Sequence, residues 1–304
     1  MNMLLESKSQ KIALVCAGLL ISLAVFMLMV LPNLSFLYEP QLSYLDMTKR
    51  VVVVKGYFGW KTDTAFSTFG DVMDYAVRND TRVALVRSKE VGKINLTQVV
   101  VDQGKEVVQV TTDPVEKFGI AIAPSETVIA YSLFRTNNPA VVFSPALGLW
   151  ESVVYNLNTK ESVSLPGYGP QFLSDTLVLT TTPEGYVVTN LTTSSTSLLP
   201  MRLLPLIDVA PAVNDAGNLM VAYDPFMKRF TTYEIFRSWP ELGVEPVSSV
   251  SATDLKFPAF VGDTVAFVRS TPEDTSIDMR RVDTIDQTAK SYPLPVGTRV
   301  LRVR

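Results

Sequence analysis

The sequence predicts an all-β fold, a β-propeller, carried behind a single N-terminal transmembrane helix. Three observations predict it. Residues 12–31 form one uninterrupted apolar run, the rest of the chain carries its apolar residues in short strand-like runs, and one turn-strand pattern returns at the spacing of a propeller blade.

The apolar run reads IALVCAGLLISLAVFMLMVL, twenty residues without a charge and with Ser22 as the single hydroxyl. At ~1.5 Å per residue a helix of that length spans ~30 Å, the thickness of a bilayer's hydrocarbon core. Twelve of the twenty are Leu, Ile, Val or Phe, and at roughly −0.3 to −0.6 kcal/mol each they favour insertion by about 4 to 7 kcal/mol. A cleaved signal peptide has a shorter apolar core and a small-x-small cleavage site, which Pro32-Asn33-Leu34-Ser35-Phe36-Leu37 does not offer. Cys16 lies inside the run, where most of the apolar stretch follows it, so it does not read as a lipidation site.

Lys8 and Lys11 precede the run, and no Lys or Arg follows it until Lys49 and Arg50. Positive charge stays cytoplasmic. The expected organisation is therefore a cytoplasmic N-terminus over 1–11, a bilayer-spanning helix over 12–31, a juxtamembrane stalk over 32–47 and an exported domain over 48–304. That domain is expected to be periplasmic or extracellular. Its lack of cysteine favours a bacterial inner membrane as the anchoring bilayer. Ala13 with Ala17 and Gly18 with Ser22 put small residues at i, i+4, which permits helix-mediated self-association.

Composition narrows the function classes. A net charge of −3 supplies no basic field, so nucleic-acid binding is not expected. The chain has no histidine, which removes Ser-His-Asp and Cys-His catalysis and His-ligated zinc. No Gly-rich phosphate loop and no Gly-x-Ser-x-Gly elbow is present. The expectation is no cofactor, no metal and no enzyme activity. Asn33, Asn79, Asn95 and Asn190 each open an Asn-x-Ser/Thr triplet, a pattern that a Ser/Thr-rich chain also produces by chance.

Beyond the stalk, Val-, Ile-, Tyr- and Thr-rich runs are broken by Asn, Asp, Gly and Pro, which predicts strands and turns. A turn ending in Asp-Thr or its like, followed by an apolar strand, occurs at Asp80-Thr81, Glu126-Thr127, Asp175-Thr176, Gly217-Asn218 and Asp263-Thr264. From Thr81 the steps to Thr127, Thr176, Asn218 and Thr264 are 46, 49, 42 and 46 residues, the length of a four-stranded blade. Upstream lies a short strand, opened by proline at Pro170, Pro211 and Pro258. Downstream come hairpins, at Val99 to Val108 and Val153 to Val163, with Asn, Asp and Gly at their turns.

Pro258 to Phe267 and Val101 to Lys105 resemble the blade pattern of the TolB-like and WD-repeat-like β-propeller families. The resemblance covers about residues 70 to 295 and implies a fold rather than a function. Lys49 to Val54 resembles Thr81 to Val86 and is a candidate sixth copy, at a short spacing of 32. Six blades are favoured, with five or an irregular first blade as the alternative, and a pair of β-sandwiches remains open. Thr298 to Val303 is expected to pair with the first exported strands and close the ring.

Candidate binding residues follow from loop length. The connection from Phe134 to Trp150 is long and apolar, which makes Phe134, Arg135, Phe143, Leu149 and Trp150 candidates for a partner-binding patch or for a loop packed on its own blade. A second insertion, Phe236 to Pro246, offers Trp239 and Leu242 on the opposite face. Tyr57, Phe58 and Trp60 concentrate aromatics near the stalk. Asp71 with Asp74, and Asn214 with Asp215, are read as turn and strand-end residues before they are read as paired-carboxylate or calcium chemistry. The expected function is a non-enzymatic interaction or scaffold module bound to an envelope protein. The alternatives are an exported carbohydrate-active or hydrolytic propeller enzyme, or a solute- or glycan-binding protein.

Overall fold

The computed structural model describes residues 18–22, 42–46, 51–56, 59–63, 65–87, 96–104, 106–134, 150–201, 210–288, 290–294 and 298–303. Residues 18–22 are helical and exposed. The rest of the expected 12–31 span lies outside the described residues, among which no helix is long and apolar enough to cross a membrane.

From Asp71 onward, consecutive strands fold into antiparallel sheets of four. The first is β4 (Asp71–Arg78), β5 (Thr81–Arg87), β6 (Thr97–Asp102) and β7 (Val107–Gln109). The next is β8 (Lys117–Ile122), β9 (Val128–Phe134), β10 (Trp150–Asn156) and β11 (Ser162–Pro166). A third follows as β12 (Tyr168–Phe172), β13 (Leu177–Thr182), β14 (Gly185–Asn190) and β15 (Thr196–Leu198). The fourth comprises β16 (Ala212–Val213), β17 (Leu219–Asp224), β18 (Arg229–Ser238) and β19 (Glu241–Ser251). The fifth comprises β20 (Leu255–Val261), β21 (Thr264–Ser270), β22 (Thr275–Arg281) and β23 (Lys290–Pro293).

One further sheet joins the two ends of the domain. β24 (Thr298–Val303) pairs antiparallel with β1 (Leu42–Asp46), followed by β2 (Val51–Gly56) and β3 (Gly59–Asp63). The closure expected of the C-terminal strand is therefore present. The fold is an all-β propeller.

Alternation of side chains explains the packing. Val83 and Leu85 of β5 enter one apolar cluster with Ile120, Ile129 and Tyr131 of the β8–β11 sheet, while Ala84 and Val86 enter another with Leu45. A strand buried on both faces sends successive residues into two different gaps. Among the described residues, apolar clusters fill the gaps between each sheet and the next. The first strands touch one another in the cycle β4, β8, β12, β16, β20, β24 and back to β4, so they are the innermost.

Two sequence expectations need correction here. The stalk does not extend to residue 47, because Leu42–Asp46 is a strand with Ser43, Tyr44 and Leu45 buried. Tyr44 and Leu45 fill the gaps on either side of their sheet. On its outer edge this short run pairs with β2, just after it, and on its inner edge with β24, far along the chain, so only half of its pairing is local. Lys49 to Val54 is likewise not a second strand like Thr81 to Val86. Val51–Gly56 stands third in its sheet and β1 stands second, which is why the spacing of 32 looked short.

The prolines also sit differently. Pro170 and Pro258 lie inside β12 and β20, at register shifts between Tyr168 and Gln171 and between Lys256 and Ala259. Similar shifts occur in β4 and β8. A proline is tolerated there because an innermost strand has no ladder partner on its inner edge.

Candidate functional site at the two ends of the ring

The ring has two ends. At one, which we call the entry end, the innermost strands finish and turn into the second strands. Leu42 pairs with Val303 there, so the chain enters and leaves the ring at this end. The opposite end carries the connections between second and third strands.

The recurring Asp/Glu-Thr pattern falls on the entry-end turns, and two of its acids, Glu126 and Asp175, join one blade to another. Glu126 accepts hydrogen bonds from the Asn79 side chain and the Thr81 amide of the preceding blade. Asp175 accepts from the Ser125 amide at 2.7 Å. Burial pushes the Glu126 carboxyl up, but the bonds from Asn79 and Thr81 and the charge of Arg78 outweigh it, leaving its pKa below the ordinary carboxylate value.

Asp215 behaves differently. Its carboxylate accepts from Arg78 Nη2 at 2.8 Å, and its backbone carbonyl accepts from the same nitrogen at 3.3 Å. Arg78 Nη1 donates to the Ile122 carbonyl at 3.1 Å. Arg78 ends β4 and Asp215 lies between β16 and β17, strands three steps apart in a cycle of six. The pair therefore crosses the mouth of the ring.

Asn214 does turn work, its side-chain oxygen accepting from the amides of Asn218 and Leu219. Gly217, in the same turn, has φ +64, and a Cβ there would lie 1.9 Å from the Leu173 carbonyl oxygen. Only glycine allows that approach. Asp74 accepts from the next amide, that of Tyr75, at 2.8 Å. Among the described residues, no group of three or more His, Cys, Asp or Glu could hold a metal ion.

At the opposite end, Phe134 and Trp150 close the stem of the long connection. The Trp150 ring lies 4.8 Å from Phe134, 5.2 Å from Phe118 and 4.7 Å from Tyr168 of the next blade, measured between centroids. Both Phe134 and Trp150 are buried, which removes them from the candidate surface: their rings cement two blades. Arg135, Phe143 and Leu149 lie outside the described residues, as do Tyr57 and Phe58. Trp60 is in β3, with its side chain outside the described set.

The insertion from Phe236 to Pro246 proves to be an extension of the β18–β19 hairpin, with Trp239 and Pro240 at its tip. Leu242 is buried and Trp239 half-buried, both against the cluster that includes Leu199 and Tyr186, so Leu242 too is core rather than surface. Phe236 is exposed. The sequence reading missed the Phe226-Met227 turn, whose side chains are 72% and 64% exposed at the opposite end. Asp224 fixes it by accepting from both amides.

Two buried charges are accounted for by structure. Lys117 Nζ donates to the Val115 carbonyl at 2.7 Å and pairs with Asp113 at 3.0 Å. Burial lowers its pKa, against the opposing bond and charge of Asp113 and the charge of Glu116. Asp278 accepts from Ser276 and Ser291 and pairs with Arg269 and Arg280.

Known structures can now be compared with this geometry. TolB from Acinetobacter baumannii superposes with a TM-score of 0.62 at 10% identity, covering 87% of this chain and 66% of that one. A chain of the nidogen/laminin complex superposes with a TM-score of 0.58 at 8% identity, covering 86% of this chain and 97% of that one. This chain thus spans just under two thirds of the TolB chain. What is shared is the propeller fold. No protein-family model matches the sequence, and no curated protein sequence matches it either.

Proposed function

We propose that the chain is a membrane-tethered, non-enzymatic β-propeller that serves as a protein-interaction or scaffold module in an envelope complex. We also infer that the composite β24–β1–β2–β3 sheet acts as a sixth full blade. The observation that carries the functional reading is the unequal length of the connections at one end of a closed ring. The β13–β14 connection has two residues, whereas the β9–β10 connection, 135–149, has fifteen and is held at its stem by a four-ring aromatic cluster. Rigid scaffolds place binding residues on such connections.

The 12–31 run supports the tether by its length and apolarity. An enzymatic reading has less support, because Glu126, Asp175 and Asp215 at the entry-end mouth are engaged in bonds between blades.

The test replaces residues 135–149 with the Pro-Glu turn of β13–β14 in the full chain, and compares partners recovered from crosslinked membranes. We expect a reproducible partner of the parent protein to be lost while the melting temperature is kept. Retention of the same partner would move the interface elsewhere on the ring. If the parent chain yields no reproducible partner, the interaction-module reading fails.

A further inference from the structure

Adjacent blades are already joined at the entry end by Glu126, Asp175 and the packed Gly217 turn. The bond from Arg78 to Asp215 adds nothing to adjacency, since it links blades on opposite sides of the ring. Its one geometric effect is to place a guanidinium across the mouth. We propose that Arg78 and Asp215 form a salt-sensitive latch that closes the ring's axial mouth at the entry end.

Three features make it a latch rather than a fixed brace. The Asp215 side chain is 91% exposed and that of Arg78 only 18%, so solvent ions reach the acid while the guanidinium stays seated on the Ile122 carbonyl. The turn that carries Asp215 is also held by Asn214 and by packing on Leu173, so opening the pair loosens that turn without unfolding the ring. A second carboxylate stands nearby, that of Glu126 in the neighbouring blade, which accepts from Asn79 and Thr81 just after Arg78 in the chain. Arg78 thus stands near two carboxylates, the one it bonds across the mouth and one in the blade beside it. Exposed pairs of this kind contribute little to global stability and weaken as salt shortens the screening length from ~10 Å at 0.1 M to ~3 Å at 1 M.

Hydrogen–deuterium exchange of the full chain in detergent tests the latch. In the parent protein, exchange over residues 214–219 should speed up between 0.05 and 1 M NaCl by about two- to fivefold, the factor an exposed ion pair supplies. R78M and D215N should show the faster rate at both salts with the melting temperature nearly unchanged. Should R78M fail to fold, D215N reads the same bond from its exposed side. Salt-independent exchange in the parent, or D215N exchanging like the parent, overturns the proposal. A large fall in melting temperature with no local change would make the pair a brace and overturn it equally.

Discussion

Two glycines in equivalent entry-end turns offer a controlled measurement of how tightly the blades are set. Gly217 has φ +64 and Gly262 has φ +60, so alanine at either carries the same left-handed backbone penalty, about 1 to 2 kcal/mol. The surroundings differ. A Cβ at Gly262 meets nothing within 4 Å, whereas one at Gly217 would lie 1.9 Å from the Leu173 oxygen and 2.5 Å from its carbonyl carbon. Ordinary contact begins near ~3.5 Å, so the two backbones would have to part by roughly 1.5 Å. That movement breaks the bond from the Gly217 amide to the Asn214 carbonyl and disturbs those from Asn218 and Leu219 to the Asn214 side chain. At about 1 kcal/mol for each lost bond, G217A should cost about 3 to 4 kcal/mol, against about 1 to 2 for G262A. At about 2 to 4 °C per kcal/mol, the melting temperatures should differ by several degrees. Urea and thermal unfolding of the two variants in parallel measure this. If they agree within about 0.5 kcal/mol, the turn yields easily and the close approach to Leu173 has no energetic weight.

Three further outcomes are expected. W150A removes the ring shared by Phe118, Phe134 and Tyr168 and should cost about 3 to 5 kcal/mol in thermal unfolding; a loss under about 1 kcal/mol would return Trp150 to the surface. Ending the chain before Thr298 removes β24 and exposes the inner edge of β1, so circular dichroism melts should lose their sharp transition and size-exclusion profiles should show association. Burial pushes the Tyr131 hydroxyl up to about 12, with the charge of Asp113 adding to it. The folded state therefore holds its proton after the unfolded state has released it near ~10, and the slope of stability with pH is negative. Stability should be full below about pH 10 and fall between about 10 and 12. Y131F should flatten that part of the fall in urea titrations at alkaline pH.

The parts of the fold that could be read from sequence were those written in neighbouring residues. Second strands β5, β9, β13, β17 and β21 each follow an Asp-Thr-like turn within the same few residues, and they stand where the spacing placed them. β1 is hidden because its inner-edge partner, β24, is distant in sequence and its five residues are too few to show a period beside β2, its hairpin partner. The turn acids were seen as a pattern, but whether an acid binds a metal, a substrate or the preceding blade depends on what faces it. Arg78 attracted no notice for the same reason, its carboxylate partner lying 137 residues away in sequence. For Phe134 and Trp150 the sequence leaves both a surface patch and a loop packed on its own blade open, because loop length locates a connection without saying which way its end residues point. Phe226 and Met227 carry no motif that marks them; the bonds from their amides to Asp224 fix the turn in which both side chains stand exposed.

The pairing of β24 with β1 also orders events in time. A ribosome has made Leu42–Asp46 long before Thr298–Val303 exists, yet β1 gains its inner-side neighbour only when that strand arrives. Five sheets can assemble in sequence as their strands emerge, each from consecutive residues. The remaining sheet must wait with its inner edge open, which is the state in which a strand invites foreign pairing. Everything between the two strands is thus committed to a partly built ring until Thr298–Val303 has been made, and in that interval the inner edge of β1 is the part most open to foreign pairing.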